Sequence, residues 1–155
     1  MTLIADFAGQ TALVTGGASG IGRAVARDLA RAGARLIVAD RDSDRLCETV
    51  AELRALTSVP VDGVELDVTD SARCDAVVAQ CLEAGGGRLD ILVHSAGIGI
   101  ERPFLETTDA EWSRIIDTDL TGTFAINRAA GDMCVWSYKL RVAANRRGKV
   151  NRTAA

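Results

Sequence analysis

The chain has 155 residues, of which 48% are hydrophobic and 25% charged, and its formal net charge is −3; this is the balance of a soluble globular domain. No apolar run reaches the roughly 20 residues that span a bilayer, and the opening segment MTLIADFAGQ lacks the basic region of a secretory signal. We therefore expect neither a membrane-spanning segment nor a secretory signal, and we predict a cytoplasmic protein.

Strand-like and helix-like patterns alternate along the chain. Short apolar runs bounded by glycine or polar residues predict strands, and apolar residues three or four positions apart predict helices. Thr108 and Glu111 have the spacing of a capping box before the last helix. The predicted strands are 11–15, 35–40, 61–68 and 89–97, the last including an exit loop. The predicted helices are marked by Ile21, Val25 and Leu29, by Leu46, Val50 and Leu53, by Cys74, Val77, Val78, Cys81 and Leu82, and by Trp112, Ile115 and Ile116.

This order of elements predicts an α/β fold. Strands alternating with helices imply right-handed crossovers and a parallel, doubly wound sheet of the Rossmann type, with helices on both faces. Four β-α units are clear, so the sheet is predicted to be incomplete, with its fourth strand at an open edge. Because an open edge is a template for pairing with another chain, we expect self-association there, or cover by the tail.

The last part of the chain differs from the rest. Residues 1–138 carry 12 basic and 21 acidic side chains, whereas residues 139–155 carry six basic side chains and no acidic one. We predict a dinucleotide-binding half-domain over residues 1–133 and a basic tail over residues 134–155. Basic residues near aromatic ones can contact nucleic acid. An acidic body repels a polyanion, however, so a solvated tail is the favoured interpretation.

The cysteines are not spaced as metal ligands. None of Cys47, Cys74, Cys81 and Cys134 stands in a C-x-x-C pair, and the single histidine, His94, has no cysteine near it in sequence. Cys74 and Cys81 are seven residues apart, on one face of a helix, and we expect them to be buried, reduced thiols.

The segment VTGGASGIG, residues 14–22, follows a predicted strand and opens a predicted helix, which is the context of a phosphate-binding loop. Gly16 permits the tight turn, Gly20 leaves the backbone open to a pyrophosphate, and Gly22 allows close packing of helix and strand. The helix N-terminus offers free N–H groups and a partial positive charge. The predicted contacts of this segment with a dinucleotide are Gly16, Ser19, Gly20, Ile21 and Gly22.

Asp40 ends the second predicted strand, 18 residues after Gly22. A carboxylate there accepts hydrogen bonds from the ribose hydroxyls of an adenosine and repels a 2′-phosphate. It therefore favours NAD over NADP as the cofactor, a preference that the next residue, Arg41, softens.

The loop resembles the T-G-x-x-x-G-x-G cofactor loop of the short-chain dehydrogenase/reductase family, and the similarity extends over roughly residues 7–133. The resemblance implies a Rossmann-type oxidoreductase that uses NAD(P) to move a hydride between nicotinamide and an alcohol or a ketone. Family members that use NADP tend to carry a basic residue where this chain has Ser19, which again favours NAD.

Two further segments match the family. The resemblance implies that Asp67 and Val68 contact the adenine, although Asp67 can equally cap the next helix. HSAG lies where the family has Asn-Asn-Ala-Gly, and the resemblance implies a small loop beside the cofactor. The predicted cofactor contacts in that loop are Ser95, Ala96 and Gly97.

Two residues depart from the family's pattern. His94 begins the HSAG segment, and we interpret it as a strand-end residue whose ring bonds neighbouring backbone, not as a catalytic base. Asp119, within DTDLTGTF, stands where the family has a catalytic-region asparagine. A carboxylate lacks amide donors and disfavours a nearby phenolate through like-charge repulsion.

The family's catalytic tyrosine and lysine, four residues apart, have no match. The single tyrosine, Tyr138, is followed four residues later by Val142, and the two lysines are Lys139 and Lys149. Ser137 adjoins Tyr138, whereas the family's catalytic serine is not a sequence neighbour of its tyrosine. We therefore expect the cofactor-binding half of the family's fold, without an intact set of catalytic serine, tyrosine and lysine.

Two main hypotheses follow. The favoured one is a short-chain dehydrogenase/reductase truncated or shifted in reading frame near residue 133, and the alternative is a non-catalytic dinucleotide-binding module or sensor. A nucleic-acid binder and an active enzyme with replacement catalytic groups are both less favoured. The expected partner is a dinucleotide, with a small-molecule alcohol or ketone only for a complete enzyme; no metal and no membrane are expected. The substrate cannot be read from these residues.

Overall fold

A computed structural model of the chain describes residues 6–131, which contain a parallel sheet of four strands in the order β3-β2-β1-β4. The strands are β1 (Thr11–Thr15), β2 (Arg35–Asp40), β3 (Val61–Glu65) and β4 (Ile91–His94). The helices are α1 (Gly20–Arg31), α2 (Ser43–Leu56), α3 (Ser71–Ala84) and α4 (Asp109–Ile115). A short 3₁₀ turn, Phe104–Glu106, precedes α4, which continues through a π-helical turn, Ile116–Thr121, into helical residues 122–131.

Separate apolar layers cover the two faces of the sheet. Alternate residues of a strand point to opposite faces. Val14 and Val38 therefore pack with α1 and α2, whereas Leu13 and Ile37 pack with α3 and residues 122–131. The predicted α/β fold, with helices on both faces of a parallel sheet, is confirmed.

The strand registers align the carboxyl ends of three strands. Thr15 of β1 pairs with Ala39 of β2 and with His94 of β4. The residues that follow these positions, Gly16 and Asp40 among them, therefore emerge at one edge of the sheet. In an open α/β sheet this edge is the place for a ligand crevice.

Side chains cap three of the helices at their N-termini. Asp42 accepts from the Arg45 amide at 3.1 Å to begin α2, and Asp70 accepts from the Arg73 amide at 2.9 Å to begin α3. The predicted capping box before α4 is present with both of its reciprocal bonds.

The third strand is shorter than the predicted range of 61–68. It ends at Glu65 because the chain soon turns at Asp67, whose Oδ1 accepts from both the amide and the hydroxyl of Thr69. Gly63 inside the strand lies beneath α2, and a Cβ there would come within 2.9 Å of Val50 Cγ2. The glycine thus permits close packing of α2 on the strand.

Strand β4 lies at an edge of the sheet within residues 6–131. It pairs there with β1 alone, and all four of its residues are partly exposed, whereas β1 is buried throughout. The predicted tail, residues 134–155, lies outside the described part of the chain, and so does any cover it provides. Across the described residues, no helix has both the length and the apolar character needed to cross a membrane.

The environments of the cysteines predict their reactivity. Burial raises the pKa of the Cys74 thiol and raises that of Cys81 to about 12, whereas Cys47 is exposed. Because the thiolate is the reactive form, in a Cys134→Ser background a maleimide should modify Cys47 alone in the folded protein. Mass spectrometry after peptide digestion identifies the labelled thiols. Labelling of Cys81 as fast as that of Cys47, without denaturant, would contradict the burial described.

Candidate functional site

A cleft of about 360 Å³ opens at the carboxyl ends of the strands. Every residue of the predicted cofactor set lines it except Gly22, which lies in the wall behind it. The four segments of the prediction, far apart in sequence, are therefore brought together. The lining residues are Gly16, Ser19, Gly20, Ile21, Asp40, Arg41, Asp42, Arg45, Leu66, Asp67, Val68, Ser95, Ala96, Gly97, Ile98 and Thr118.

Glycines at two positions let three backbone segments meet under the cleft. Gly16 has φ +64°, and a Cβ on it would lie 2.6 Å from the amide nitrogen of Ala96 in the loop after β4. A Cβ on Gly22 would overlap the carbonyl oxygen of Gly16. The close packing predicted at Gly22 is thus between α1 and the loop that precedes it.

The N-terminus of α1 is the one helix start without a side-chain cap among α1 to α4. Ser19 is in the N-cap position but makes no capping hydrogen bond, and no acidic residue lies in the first turn. The first amides of a helix have no intrahelical acceptor. Ser19, Gly20 and Ile21 line the cleft. The start of α1 therefore presents to the cleft free N–H groups and a partial positive charge, which are features suited to phosphate.

Ile21 belongs to the apolar pattern that predicts α1, yet its side chain is 77% exposed, whereas Leu29 in the same pattern is buried. The first turn of α1 borders the cleft, and no element within residues 6–131 packs over Ile21. The exposed Ile21 side chain is an apolar surface at the mouth of the site.

Both carboxylate oxygens of Asp40 accept backbone N–H groups. Oδ2 accepts from Ala18 in the glycine-rich loop at 3.0 Å, and Oδ1 accepts from Asp42 at 3.1 Å. Each carboxylate oxygen has a second lone pair, so these bonds leave acceptor capacity for ribose hydroxyls. Asp40 therefore joins the phosphate loop to the start of α2 and also faces the cleft.

Asp67 is not a helix cap, so that alternative is wrong. Asp70 caps α3, and Asp67 instead accepts from the Thr69 amide at 2.9 Å and the Thr69 hydroxyl at 2.8 Å. These two bonds, with a smaller contribution from the charge of Arg41, hold the pKa of Asp67 below its usual value. Its carboxylate stays ionised at neutral pH at the border of the cleft.

His94 bonds a side chain, not the neighbouring backbone as predicted. Its Nδ1 lies 2.7 Å from the Thr15 hydroxyl, because the two residues are register partners on adjacent strands. Burial lowers the pKa of the ring and outweighs the opposing charge of Asp119. Its Nε2 is buried without a hydrogen-bond partner among the described residues.

Asp119 lies in the π-helical turn after α4, next to the loop that follows β4. Its Oδ1 accepts from the Ile98 amide at 2.9 Å, and a Cβ on Gly97 would lie 3.3 Å from the same oxygen. The carboxylate therefore fastens the loop to the helix, although it lies outside the cleft lining. π-Helical turns inside α-helices are frequent at functional sites.

Five lining residues were not predicted from the sequence. Arg45 and Asp42 form an ion pair of 3.2 Å at the start of α2, and their spacing of three residues on a helix was the available signal. Three other residues, Leu66, Ile98 and Thr118, are brought to the cleft by the tertiary fold, and no local sequence pattern indicates them. Ser137, Tyr138, Lys139 and Val142 lie outside the described residues.

The strand–glycine loop–uncapped helix unit, with an acidic residue ending the next strand, defines a Rossmann-type protein of the dinucleotide-binding class. The sequence matches the model of the family described as “short chain dehydrogenase” over residues 10–139. The chain belongs to the short-chain dehydrogenase/reductase family of NAD(P)-binding oxidoreductases.

Named relatives and solved structures agree with this membership. The chain is 43% identical over 123 residues to the (5R,7aS)-5-hydroxy-7a-methyl-1-oxo-2,3,5,6,7,7a-hexahydro-1H-indene-carboxyl-CoA reductase of Mycobacterium tuberculosis, covering 79% of this chain and 47% of that protein. It is 35% identical over 124 residues to the 3-oxoacyl-[acyl-carrier-protein] reductase FabG of Escherichia coli, covering 80% and 49% of the two chains. A short-chain type dehydrogenase/reductase from Mycobacterium ulcerans superposes with a TM-score of 0.79 at 34% identity, covering 85% and 49%. The chain thus spans about half the length of the curated relatives it matches.

The two helix-start glycines predict different costs of substitution. Gly22→Ala places a methyl group on the Gly16 carbonyl and should lower the free energy of unfolding by about 1–3 kcal/mol, as overpacking does. Gly20→Ala meets no atom within 4 Å but is held at φ +49°, so a cost of about 1 kcal/mol is expected. Urea unfolding measures both. A larger loss for Gly20→Ala than for Gly22→Ala would contradict this packing.

His94 predicts a pH dependence of stability. It is the single histidine, so its ring protons can be followed alone by NMR, and its pKa should lie below 6.5. Since the unfolded chain then binds the proton more readily than the folded chain, the stability that His94 contributes is present above the unfolded pKa and is lost as pH falls below it. Urea unfolding of wild type and His94→Asn, at about pH 7.5 and about pH 5.5, measures this contribution. The wild type should lose more stability than the variant; equal losses would refute the prediction.

Proposed function

We propose that this chain binds NAD in the cleft at the carboxyl edge of its sheet. The observation that carries the proposal is the convergence of four separate sequence segments on that one cleft. The proposed contacts are Gly16, Ser19, Gly20, Ile21, Gly22, Asp40, Arg41, Asp67, Val68, Ser95, Ala96 and Gly97. Gly22 contributes through its packing and its free amide, since it does not line the cleft.

The residues present fit a dinucleotide. The uncapped N-terminus of α1 supplies donors for the pyrophosphate, and Asp40 retains acceptor capacity for ribose hydroxyls. The ionised Asp67 can accept from an adenine amino group. The small residues 95–97 leave room beside the cofactor, whose nicotinamide supplies the hydride chemistry when it is bound.

Charge near the ribose supports NAD as the preferred cofactor. Asp40 repels a 2′-phosphate, and Ser19 provides no compensating positive charge. Arg45 lines the cleft but is paired with Asp42, so its charge is partly neutralised. Arg41 is the other cation among the described residues that line the cleft, and it sets the limit on discrimination against NADP.

Hydride transfer also needs a group that delivers a proton to the carbonyl oxygen. The sequence has one tyrosine, Tyr138, with Val142 in place of a lysine four residues later. We therefore propose that these 155 residues alone bind the dinucleotide and give no turnover of an alcohol or a ketone. The cytoplasmic location, self-association through β4 and the domain boundary near residue 133 stay predictions.

The charge of Asp40 provides the test of cofactor preference. Asp40→Asn keeps the shape of the side chain but loses its charge and one of its two acceptor oxygens, so the Kd for NAD should rise about tenfold while that for NADP should fall. Isothermal titration calorimetry of the full chain measures both constants.

Asp44→Asn is the matched control, since Asp44 is exposed on the first turn of α2 and does not line the cleft. It should leave both affinities as in the wild type. A folded wild type that binds neither dinucleotide would refute the proposed function. An Asp40→Asn variant with unchanged preference would refute the role of the carboxylate.

A further inference from the structure

The amides of the glycine-rich loop fall into an anchored group and a free group. The Gly17 amide donates to the Ala39 carbonyl at 3.1 Å, and the Ala18 amide donates to Asp40 Oδ2 at 3.0 Å, so both bind the end of β2. The amides from Gly20 to Gly22 have no acceptor within residues 6–131. The free group is the one available to a phosphate.

The carbonyl of Ala18 lies in the chain between the anchored amides and the free amides. Ala18 stands four residues before Gly22, so its carbonyl is the acceptor that the Gly22 amide would find if α1 began one residue earlier. Because Ser19 is extended (φ −148°, ψ 166°) and Gly20 has φ +49°, the backbone between them is not helical. That bond is not formed. The Ala18 carbonyl accepts instead from the hydroxyl of Thr49, on α2, at 3.4 Å.

Thr49 is a buried polar residue in an apolar layer. Its side chain is 1% exposed, and its neighbours along α2, Leu46, Val50 and Leu53, belong to the core on that face of the sheet. A buried hydroxyl without a partner is costly, whereas a valine of the same shape would need none. The bond to Ala18 satisfies the hydroxyl and ties α2 to the loop.

The next turn of α2 is bonded to α1, as Thr49 is bonded to the loop before it. Glu52, three residues after Thr49, pairs with Arg23 and Arg27 of α1, and Arg23 Nε lies 3.1 Å from Glu52 Oε2. Thr49 contacts the glycine-rich loop, and Glu52, on the same face of α2, contacts α1. Glu52 fixes the helix, and Thr49 fixes the carbonyl that precedes it.

We propose that Thr49 is a positioning residue for pyrophosphate binding: by holding the Ala18 carbonyl, it fixes the Ala18–Ser19 peptide, which the free amides at the start of α1 directly follow. Thr49 does not line the cleft and acts through Ala18 alone. The proposal rests on the proposed function, because it assumes that the cleft receives a dinucleotide. It specifies that the binding of the pyrophosphate depends on Thr49 of α2.

Thr49→Val and Thr49→Ser are the matched variants for the test. Without the hydroxyl, the Kd for NAD and for ADP-ribose should rise about 3- to 10-fold, as for the loss of one hydrogen bond, whereas that for adenosine, which has no phosphate, should be unchanged. Thr49→Ser should restore both affinities. NMR titration of the full chain covers weak and strong ligands alike.

Val50→Ala separates positioning from stability. It removes buried methyl groups on the same helix and keeps the hydroxyl, so it should lower the melting temperature without changing the ratio of the Kd for ADP-ribose to that for adenosine. If Thr49→Val binds ADP-ribose as tightly as the wild type, or weakens adenosine equally, the inference is wrong while the proposed function stands. A folded wild type that binds neither NAD nor ADP-ribose would overturn the proposed function and this inference with it.

Discussion

The contact between Gly22 and the carbonyl of Gly16 is the constraint on which the cleft depends. Neither position has room for a side chain: Gly16 lies against the backbone of Ala96, and Gly22 lies against Gly16. The ends of β1 and β4 and the start of α1 therefore meet at backbone distance. Any β-carbon there would separate them and move the free amides of α1 away from the strand ends.

Electrostatics divides the cleft into two regions. At α1, partial positive charge comes from unsatisfied amides, without a nearby acidic side chain in the first turn. At Asp40 and Asp67, carboxylates held by backbone amides supply negative charge. An anionic pyrophosphate and a hydroxyl-rich nucleoside have opposite requirements, and the proposed binding of a dinucleotide uses one region for each.

The fold and most of the candidate site could be predicted because they depend on local patterns. A glycine loop between a strand and a helix, or an acidic residue ending a strand, carries its meaning within a few residues, as Gly16 and Asp40 do. The partner of His94 could not be predicted, because it is set by the register of β1 against β4. Thr49 was missed for the same reason: a threonine within an apolar helix pattern gives no sign that its acceptor lies 31 residues earlier.

Helix α2 makes one mechanical unit of two regions that a ligand would occupy separately. Its N-cap residue, Asp42, donates its amide to Asp40, and Thr49, two turns further on, donates its hydroxyl to the Ala18 carbonyl. Unwinding these first turns would release the carboxylate and the loop together, whereas fraying near Leu56 would leave both in place. The order of the strand edge thus depends on how the first half of one helix is folded.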